Sequence, residues 1–197
     1  MPKTIRNMFD KCLSYENLMK AHMESRKCKS YKKEIIMFNL KQEEYISWLY
    51  EQLKNGTYKH GGYRIFYIHY QKERKVEASR YIDRVVHRWI ADCFLKPYFE
   101  TQFIDTSYAC RENKGMHIAA IDVKNAMKHC KNVWNEYYII KMDVRKYFQN
   151  IDKDILMKII SKKVADKKLL KLLAEIVYSN DGKKGIPIRK LHFSSFC

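Results

Sequence analysis

The sequence predicts an α+β fold that is predominantly helical and contains a β-hairpin and a small antiparallel sheet. Three observations indicate this fold. Several segments repeat apolar residues at the spacing of one helical face, and residues 63–70 are rich in the β-branched and aromatic side chains typical of a strand. Residues 137–152 then combine a short apolar strand, an acidic turn and the start of a helix.

The charge of the chain predicts a polyanionic partner. Its 197 residues, enough for one large or two small domains, carry 39 Lys and Arg against 22 Asp and Glu, a net charge of +17. This exceeds what solubility requires, so nucleic acid is the leading candidate. The excess is +8 in residues 1–100 and +9 in residues 101–197, so we expect basic surface throughout the protein.

The six cysteines predict neither a zinc site nor a secreted protein. They form no C-x-x-C pair and have no histidines at zinc-finger spacing, and most are expected to be small core residues. The sequence has no apolar signal region and no apolar stretch of the ~20 residues that a membrane helix needs. We therefore expect a cytoplasmic protein with reduced thiols and no membrane contact.

The first hundred residues alternate helical and strand patterns. Residues 1–43 predict one or two short outer helices, whose charge run at 29–33 either is solvated or faces phosphate. Residues 42–54 predict a helix that ends at Asn55-Gly56. Residues 63–70 predict a strand, followed by a turn at 71–73 and a second strand over 74–79. This hairpin gathers the basic residues Arg64, Lys72, Arg74, Lys75 and Arg80, either as a solvated surface or as a phosphate-binding one.

Further helices follow the hairpin. Asp83 is the expected N-cap of a core helix that stops at Lys96-Pro97, and His87 within it is expected to be a packed or hydrogen-bonded residue rather than a catalyst. A loop from Ser107 leads through Gly115 into a helix that carries apolar residues at 118, 123, 126, 127 and 130. Two more helices are expected after the caps Asp152 and Asp166.

Asp143 is the candidate catalytic residue. A carboxylate held rigidly at the end of a strand suits Mg²⁺, which takes oxygen ligands and shares them with substrate phosphates. The alternative is an ordinary turn or capping residue. Phe148 has two interpretations as well, because either it or Tyr147 would point into the core if the chain is extended here. We assign Tyr147 to the core and Phe148 to the site.

Several motifs resemble those of bacterial reverse transcriptases of the group II intron, retron and diversity-generating retroelement kind. D-V-R-K-Y-F-Q-N-I-D (143–152) resembles their first catalytic motif, and S-Y-A-C-R-E-N-K-G-M-H-I-A-A (107–120) resembles a second. D-R-V-V-H (83–87) and G-I-P-I (185–188) resemble two others. Where relatives place Pro-Phe-Arg before the aspartate, this chain has Arg-Tyr-Ile (80–82), and it departs from the family after residue 188.

The resemblance implies the fingers and the first part of the palm of a right-hand polymerase. The implied domains are residues 1–136 (N-terminal extension and fingers), 137–188 (palm) and 189–197 (a tail unlike the family). Asp143 and the neighbouring Val144 would bind Mg²⁺, or Mn²⁺ in its place. The implied nucleotide-binding residues are Phe148, Val144, Arg74, Lys75 and Arg111, with Phe148 packing under the sugar and disfavouring a 2′-hydroxyl. The implied nucleic-acid-binding residues are Arg64, Lys72, Arg80, Arg84, Lys114 and His117.

The implied function is RNA-directed DNA synthesis, with an RNA template, a DNA primer, deoxynucleoside triphosphates and an accessory protein as expected partners. Two-metal phosphoryl transfer needs carboxylates from more than one strand. The family supplies the others from a Tyr-x-Asp-Asp hairpin, and no Asp-Asp pair occurs in this sequence. We therefore expect the fragment to be inactive alone. The alternative is a non-catalytic RNA-binding module with the same fold.

Overall fold

The computed structural model describes residues 4–70, 72–109, 111, 113–134 and 136–187, with the side chains at 70, 72 and 74 left out. The chain is α+β and mostly helical, as predicted. Its helices are α1 (Phe9–Cys12), α2 (Tyr15–Arg26), α3 (Lys33–Leu40), α4 (Gln42–Lys54), α5 (Tyr81–Ile90), a π-helical turn (Ala91–Leu95), α6 (Lys96–Phe99), α7 (Met116–Trp134), α8 (Tyr147–Asn150), α9 (Lys153–Lys163) and α10 (Lys167–Val177). Its strands are β1 (Tyr63–Tyr70) and β2 (Lys72–Ser79).

One hydrophobic core joins the two ends of the described chain. It is built from residues 5–99 and 156–186, and its largest fully buried apolar side chains include Trp89 and Phe94. The two rings meet edge to face, with centroids 5.2 Å apart, and Phe9 meets the Trp89 ring in the same way at 5.6 Å. We call residues 5–99 together with 153–186 the packed region.

The buried Asp166 ties the start of the chain to α10. Its Oδ1 accepts hydrogen bonds from the backbone N–H groups of Lys168 and Leu169, which is the predicted N-cap. Its Oδ2 accepts from the backbone N–H groups of Met8 and Phe9, both at 2.9 Å. One carboxylate therefore caps two helices that are far apart in sequence, and the sequence indicates only one of these roles.

The predicted elements of the first hundred residues are largely confirmed. The helix over 42–54 has the predicted bounds, while β2 begins at Lys72, two residues earlier than expected. The predicted stop at Lys96-Pro97 is wrong, because the π-helical turn leads directly into α6 and the chain stays helical through Pro97. The first forty residues form three helices rather than one or two.

Residues 100–152, the outer region, contain no buried residue among those the structure describes. The helix predicted after Gly115 is present as α7, yet none of its residues is buried. The strand predicted over 137–142 is not formed, and the two-stranded sheet of β1 and β2 is the sheet that the described residues make. The expected second sheet is thus not seen in this part of the chain.

Among the described helices, none is both long and apolar enough to span a lipid bilayer. Residues 188–197, which include the last residue of the predicted palm and the whole predicted tail, lie outside the described residues.

Candidate functional site

The segment that carries Asp143 is exposed. Asp143 and Val144 both lie at the surface, and Val144 follows the segment expected to be a strand. Lys146 then adopts a left-handed backbone conformation (φ 51°), and its carbonyl accepts hydrogen bonds from the N–H groups of Gln149 and Asn150. This closes the single helical turn α8, which contains Phe148, and Asp143 lies in the irregular segment that precedes it.

Asp143 offers a single carboxylate group as a ligand for a metal ion. No hydrogen bond or ion pair joins its carboxylate to another described residue, and the described residues contain no group of three or more His, Cys, Asp or Glu side chains that could hold a metal. A Mg²⁺ ion that keeps several waters and binds substrate phosphate fits such a position, because it needs only one or two protein carboxylates.

Tyr147 and Phe148 lie on α8 and are both half-buried. Their rings meet edge to face with centroids 5.3 Å apart. The premise that these neighbours alternate along an extended chain is therefore wrong, since successive residues of a helix are about 100° apart. The assignment of Phe148 to a sugar site and Tyr147 to the core stays a prediction.

The loop after α10 contacts this turn through its backbone. The N–H of Ile186 donates to the carbonyl of Phe148, and the N–H of Gly185 donates to the carbonyl of Ile151, both at 2.9 Å. Gly185 has a φ of 91°, and a Cβ there would lie 3.4 Å from the Gln149 carbonyl oxygen. The position therefore requires glycine.

Lys153 is a buried residue at this junction that the sequence analysis missed. Its side chain is only 1% exposed, and Nζ donates to the carbonyl oxygens of Asn180 (2.5 Å) and Gly182 (2.7 Å). Burial lowers the pKa of this amine. A lysine between the cap Asp152 and an apolar helix face gave no sequence signal of burial, because lysine is almost always exposed.

The register of the hairpin divides the predicted basic cluster. Arg64 pairs with Ala78 and Ile68 with Arg74, which places positions 64, 72 and 74 on one face with Phe66. Lys75 falls on the opposite face and forms an ion pair with Glu77 at 2.9 Å. The side chains of Lys72 and Arg74 lie outside the part that the structure describes. The face with Arg64 has no acidic residue in either strand, so it is the basic one.

Asp83 is a buried acceptor and not the predicted N-cap, because α5 begins at Tyr81. It accepts from the Tyr58 hydroxyl at 2.7 Å and from Nε of Arg80 at 2.9 Å. The hydrogen bond to Asp83 raises the pKa of Arg80, and burial followed by the Asp83 charge raises that of Tyr58. A Cβ on Gly61 would overlap the Arg80 guanidinium. Arg80 therefore has a structural partner, although half of its side chain is exposed.

The remaining predicted site residues make local contacts. Arg84 donates to the Ser79 carbonyl and pairs with Glu34. Arg111 donates to the carbonyls of Ile104 and Ser107. These two arginines stabilise the backbone around them.

Lys114 and His117 flank the start of α7. Nζ of Lys114 donates to the Asp105 carbonyl at 2.7 Å, and the ammonium lies over the ring of Tyr108. His117 is exposed in the first turn of α7. Arg111 and Lys114 thus bond to the backbone between Ile104 and Ser107, whereas His117 is open to solvent.

Two curated relatives match the chain. Both are the group II intron-encoded protein LtrA, one from Lactococcus lactis subsp. cremoris and one from its strain MG1363. Each is 25% identical over 134 residues, which cover 66% of this chain and 21% of the relative. The chain therefore spans about a fifth of the length of these relatives, and it matches no protein-family model. The similarity relates the chain distantly to a group II intron-encoded protein.

Proposed function

We propose that the chain is part of an RNA-directed DNA polymerase of a bacterial retroelement. The observation that carries this proposal is the similarity to the group II intron-encoded protein over 134 residues. The ordered motifs described above, which lie between residues 83 and 188, agree with it. Residues 1–136 would then serve as an N-terminal extension and fingers, and residues 137–188 as the start of a palm.

The RNA template and DNA primer would bind mainly through their phosphates. The net charge of +17 supports this, as does the hairpin face with Arg64, which combines basic residues with an exposed Phe66. Each phosphate that a basic side chain neutralises releases counterions, so affinity should fall steeply with salt. Binding to an RNA–DNA duplex that barely changes between low and physiological salt would contradict this part of the proposal.

Asp143 would bind catalytic Mg²⁺, and Phe148 would form the floor of the sugar site. The bound ion would neutralise phosphate charge during nucleotide transfer. An aromatic ring beneath the sugar selects deoxyribose by shape, because a 2′-hydroxyl clashes with it. Deoxynucleoside triphosphates are therefore the proposed substrates, and Arg111 and the basic hairpin residues are the proposed contacts to phosphate.

The test measures Mg²⁺-dependent binding of dTTP to the chain on a poly(rA) template annealed to an oligo(dT) primer. Asp143→Asn keeps the size of the side chain and removes its charge, so it should abolish the Mg²⁺-dependent part and leave duplex binding intact. Asp105→Asn, an exposed aspartate elsewhere in the outer region, is the matched control and should change neither. Nucleotide binding that survives Asp143→Asn would overturn the proposal.

A non-catalytic RNA-binding module is the second candidate. It is supported by the net charge of +17, because a basic surface is sufficient by itself to bind the phosphates of RNA. This candidate expects salt-sensitive duplex binding without any effect of Mg²⁺ or of Asp143→Asn. In either case we expect no DNA synthesis from the chain alone.

A further inference from the structure

The loop between α10 and the end of the described chain folds back over the starts of α8 and α9. It leaves α10 at Tyr178, whose hydroxyl donates to the Asp154 carboxylate at 2.7 Å. It then pairs with the N-terminus of α9, where the N–H of Lys153 donates to the Lys183 carbonyl at 3.2 Å. Residues 180–186 thus lie against the same turn that carries Phe148.

The Lys153 side chain holds the first half of this loop. Its ammonium is buried and is shared by the carbonyls of Asn180 and Gly182. A cation in the first turn of a helix opposes the helix dipole, and its burial carries a desolvation cost. The two carbonyls offset this cost, because hydrogen bonds to a charged donor are stronger than those to a neutral one. An apolar side chain of equal length would leave both carbonyls without this donor.

The second half of the loop transmits this anchoring to Phe148. Asn180 donates through Nδ2 to the Gly185 carbonyl at 3.1 Å. Gly185 and Ile186 in turn donate to the carbonyls of Ile151 and Phe148. Ile186 is buried in the core, which fixes the far end of the loop. Hydrogen bonds, together with the covalent links within Asn180 and the Gly185–Ile186 peptide, therefore connect the Lys153 ammonium to the Phe148 carbonyl.

We infer that Lys153 is a positioning residue for Phe148, which it acts on by fixing residues 180–186 against the α8 turn. Its role in sugar discrimination rests on the proposed function, whereas its role in anchoring the loop does not. In this role Lys153 touches no substrate. It fixes the position of the backbone segment that carries the Phe148 ring.

The first experiment measures amide hydrogen exchange at Gly185 and Ile186 in the full chain. Lys153→Met removes the ammonium but keeps the stem, and it should speed exchange at both amides by about tenfold. The reference amides of Val164 and Leu170, which bond within the packed region, should change far less. Lys153→Arg keeps charged donors and should restore most of the protection. Lys158→Met, an exposed lysine on the same helix, is the matched control and should have no effect.

Equal acceleration at loop and reference amides would show a general loss of stability and would overturn the inference. So would unchanged exchange at Gly185 and Ile186. If Lys153→Met does not fold, Lys153→Gln, which keeps a polar group too short to reach both carbonyls, serves for the same comparison and the same two outcomes.

The second experiment measures the ratio of ATP to dATP dissociation constants in the presence of Mg²⁺, template and primer. Lys153→Met should reduce this discrimination by about threefold, and Lys153→Arg should retain it. A merely structural lysine would leave the ratio unchanged, and that result would overturn the positioning role. If the wild-type chain binds neither nucleotide, the proposed function fails, and the exchange experiment alone decides whether Lys153 anchors the loop.

Discussion

The packed region and the outer region contain the same kinds of apolar residue, but the packed region buries many of them and the outer region buries none of those described. Ile160 in α9 is fully buried, whereas Ile140 in the outer region is 78% exposed. Helix α5 buries Val85, Val86 and Trp89, while the longer α7 buries none of its residues. The difference is that α5 lies against α2 and α3, and no described element covers α7 in the same way.

This contrast shows what an apolar pattern can and cannot establish. The pattern marks a surface that gains free energy when it is covered, but it does not identify the segment that covers it. The residues proposed for chemistry, Asp143 and Phe148, belong to the outer region. Among the described residues, the Phe148 carbonyl is joined to the packed region by a hydrogen bond from Ile186, in the loop that Lys153 anchors.

The largest expected effect separates the two regions directly. Ile160→Ala should lower the free energy of unfolding by about 4 kcal/mol, because it removes buried methyl groups and leaves a cavity. Ile140→Ala, the same substitution in the outer region, should change it by less than about 0.5 kcal/mol. Urea unfolding followed by circular dichroism measures both. Similar losses for the two variants would show that residue 140 is covered in solution.

The next effect tests how the packed region joins its two ends. Asp166→Ala removes the acceptor of four backbone N–H groups and should cost about 3 kcal/mol. Asp152→Ala removes the cap of α9 alone, where the carboxylate accepts from Asp154 and Ile155, and should cost about 1 kcal/mol. The same urea titration applies. Equal costs would mean that the contact of Asp166 with residues 8 and 9 adds nothing.

A smaller effect concerns the pH dependence of the packed region. Burial raises the pKa of Tyr81 from its model-peptide value of 10.0 to about 12. Above about pH 10 the unfolded chain loses this proton first, so on the order of 2 kcal/mol of stability should be lost as the pH rises to about 12. Tyr81→Phe should remove this part of the pH dependence, and unfolding at a series of alkaline pH values measures it. An identical alkaline slope in the variant would contradict the assignment.

The smallest effect on stability is expected in the outer region. Asp143→Asn should change the free energy of unfolding by less than about 0.5 kcal/mol, since the carboxylate is exposed and has no described partner. Thermal unfolding compares the variant with wild type. A strong destabilisation would identify Asp143 as a structural cap, which is the alternative that the sequence left open.

Local signals in the sequence predicted much of the packed region. The caps Asp152 and Asp166 begin helices as expected, and the bounds of α4 and β1 agree with their patterns. The prediction that Asp83 caps α5 was wrong for a physical reason. Aspartate is a common N-cap, but Asp83 lies inside α5 and accepts hydrogen bonds from Arg80, its neighbour in sequence, and from Tyr58, which only the folded chain brings near.

The candidate site was predicted less completely. The motif around Asp143 could be found from the residues, but the helical turn at Tyr147 could not, because four residues give too little periodicity. The basic hairpin residues could be listed from the sequence, but their division between two faces depends on a register that pairs residue 70 with 72.

By itself the sequence determined the net charge, the positions of most helices and the caps at Asp152 and Asp166. These depend on composition and on neighbours within a few residues, so the chain specifies them locally. Only the tertiary structure decided that Asp166 caps two helices, that Lys153 is buried against a loop, and that none of the described residues within 100–152 is buried. Each of these depends on contacts between residues distant in sequence, and such contacts form only when the packing of the whole chain brings those residues together.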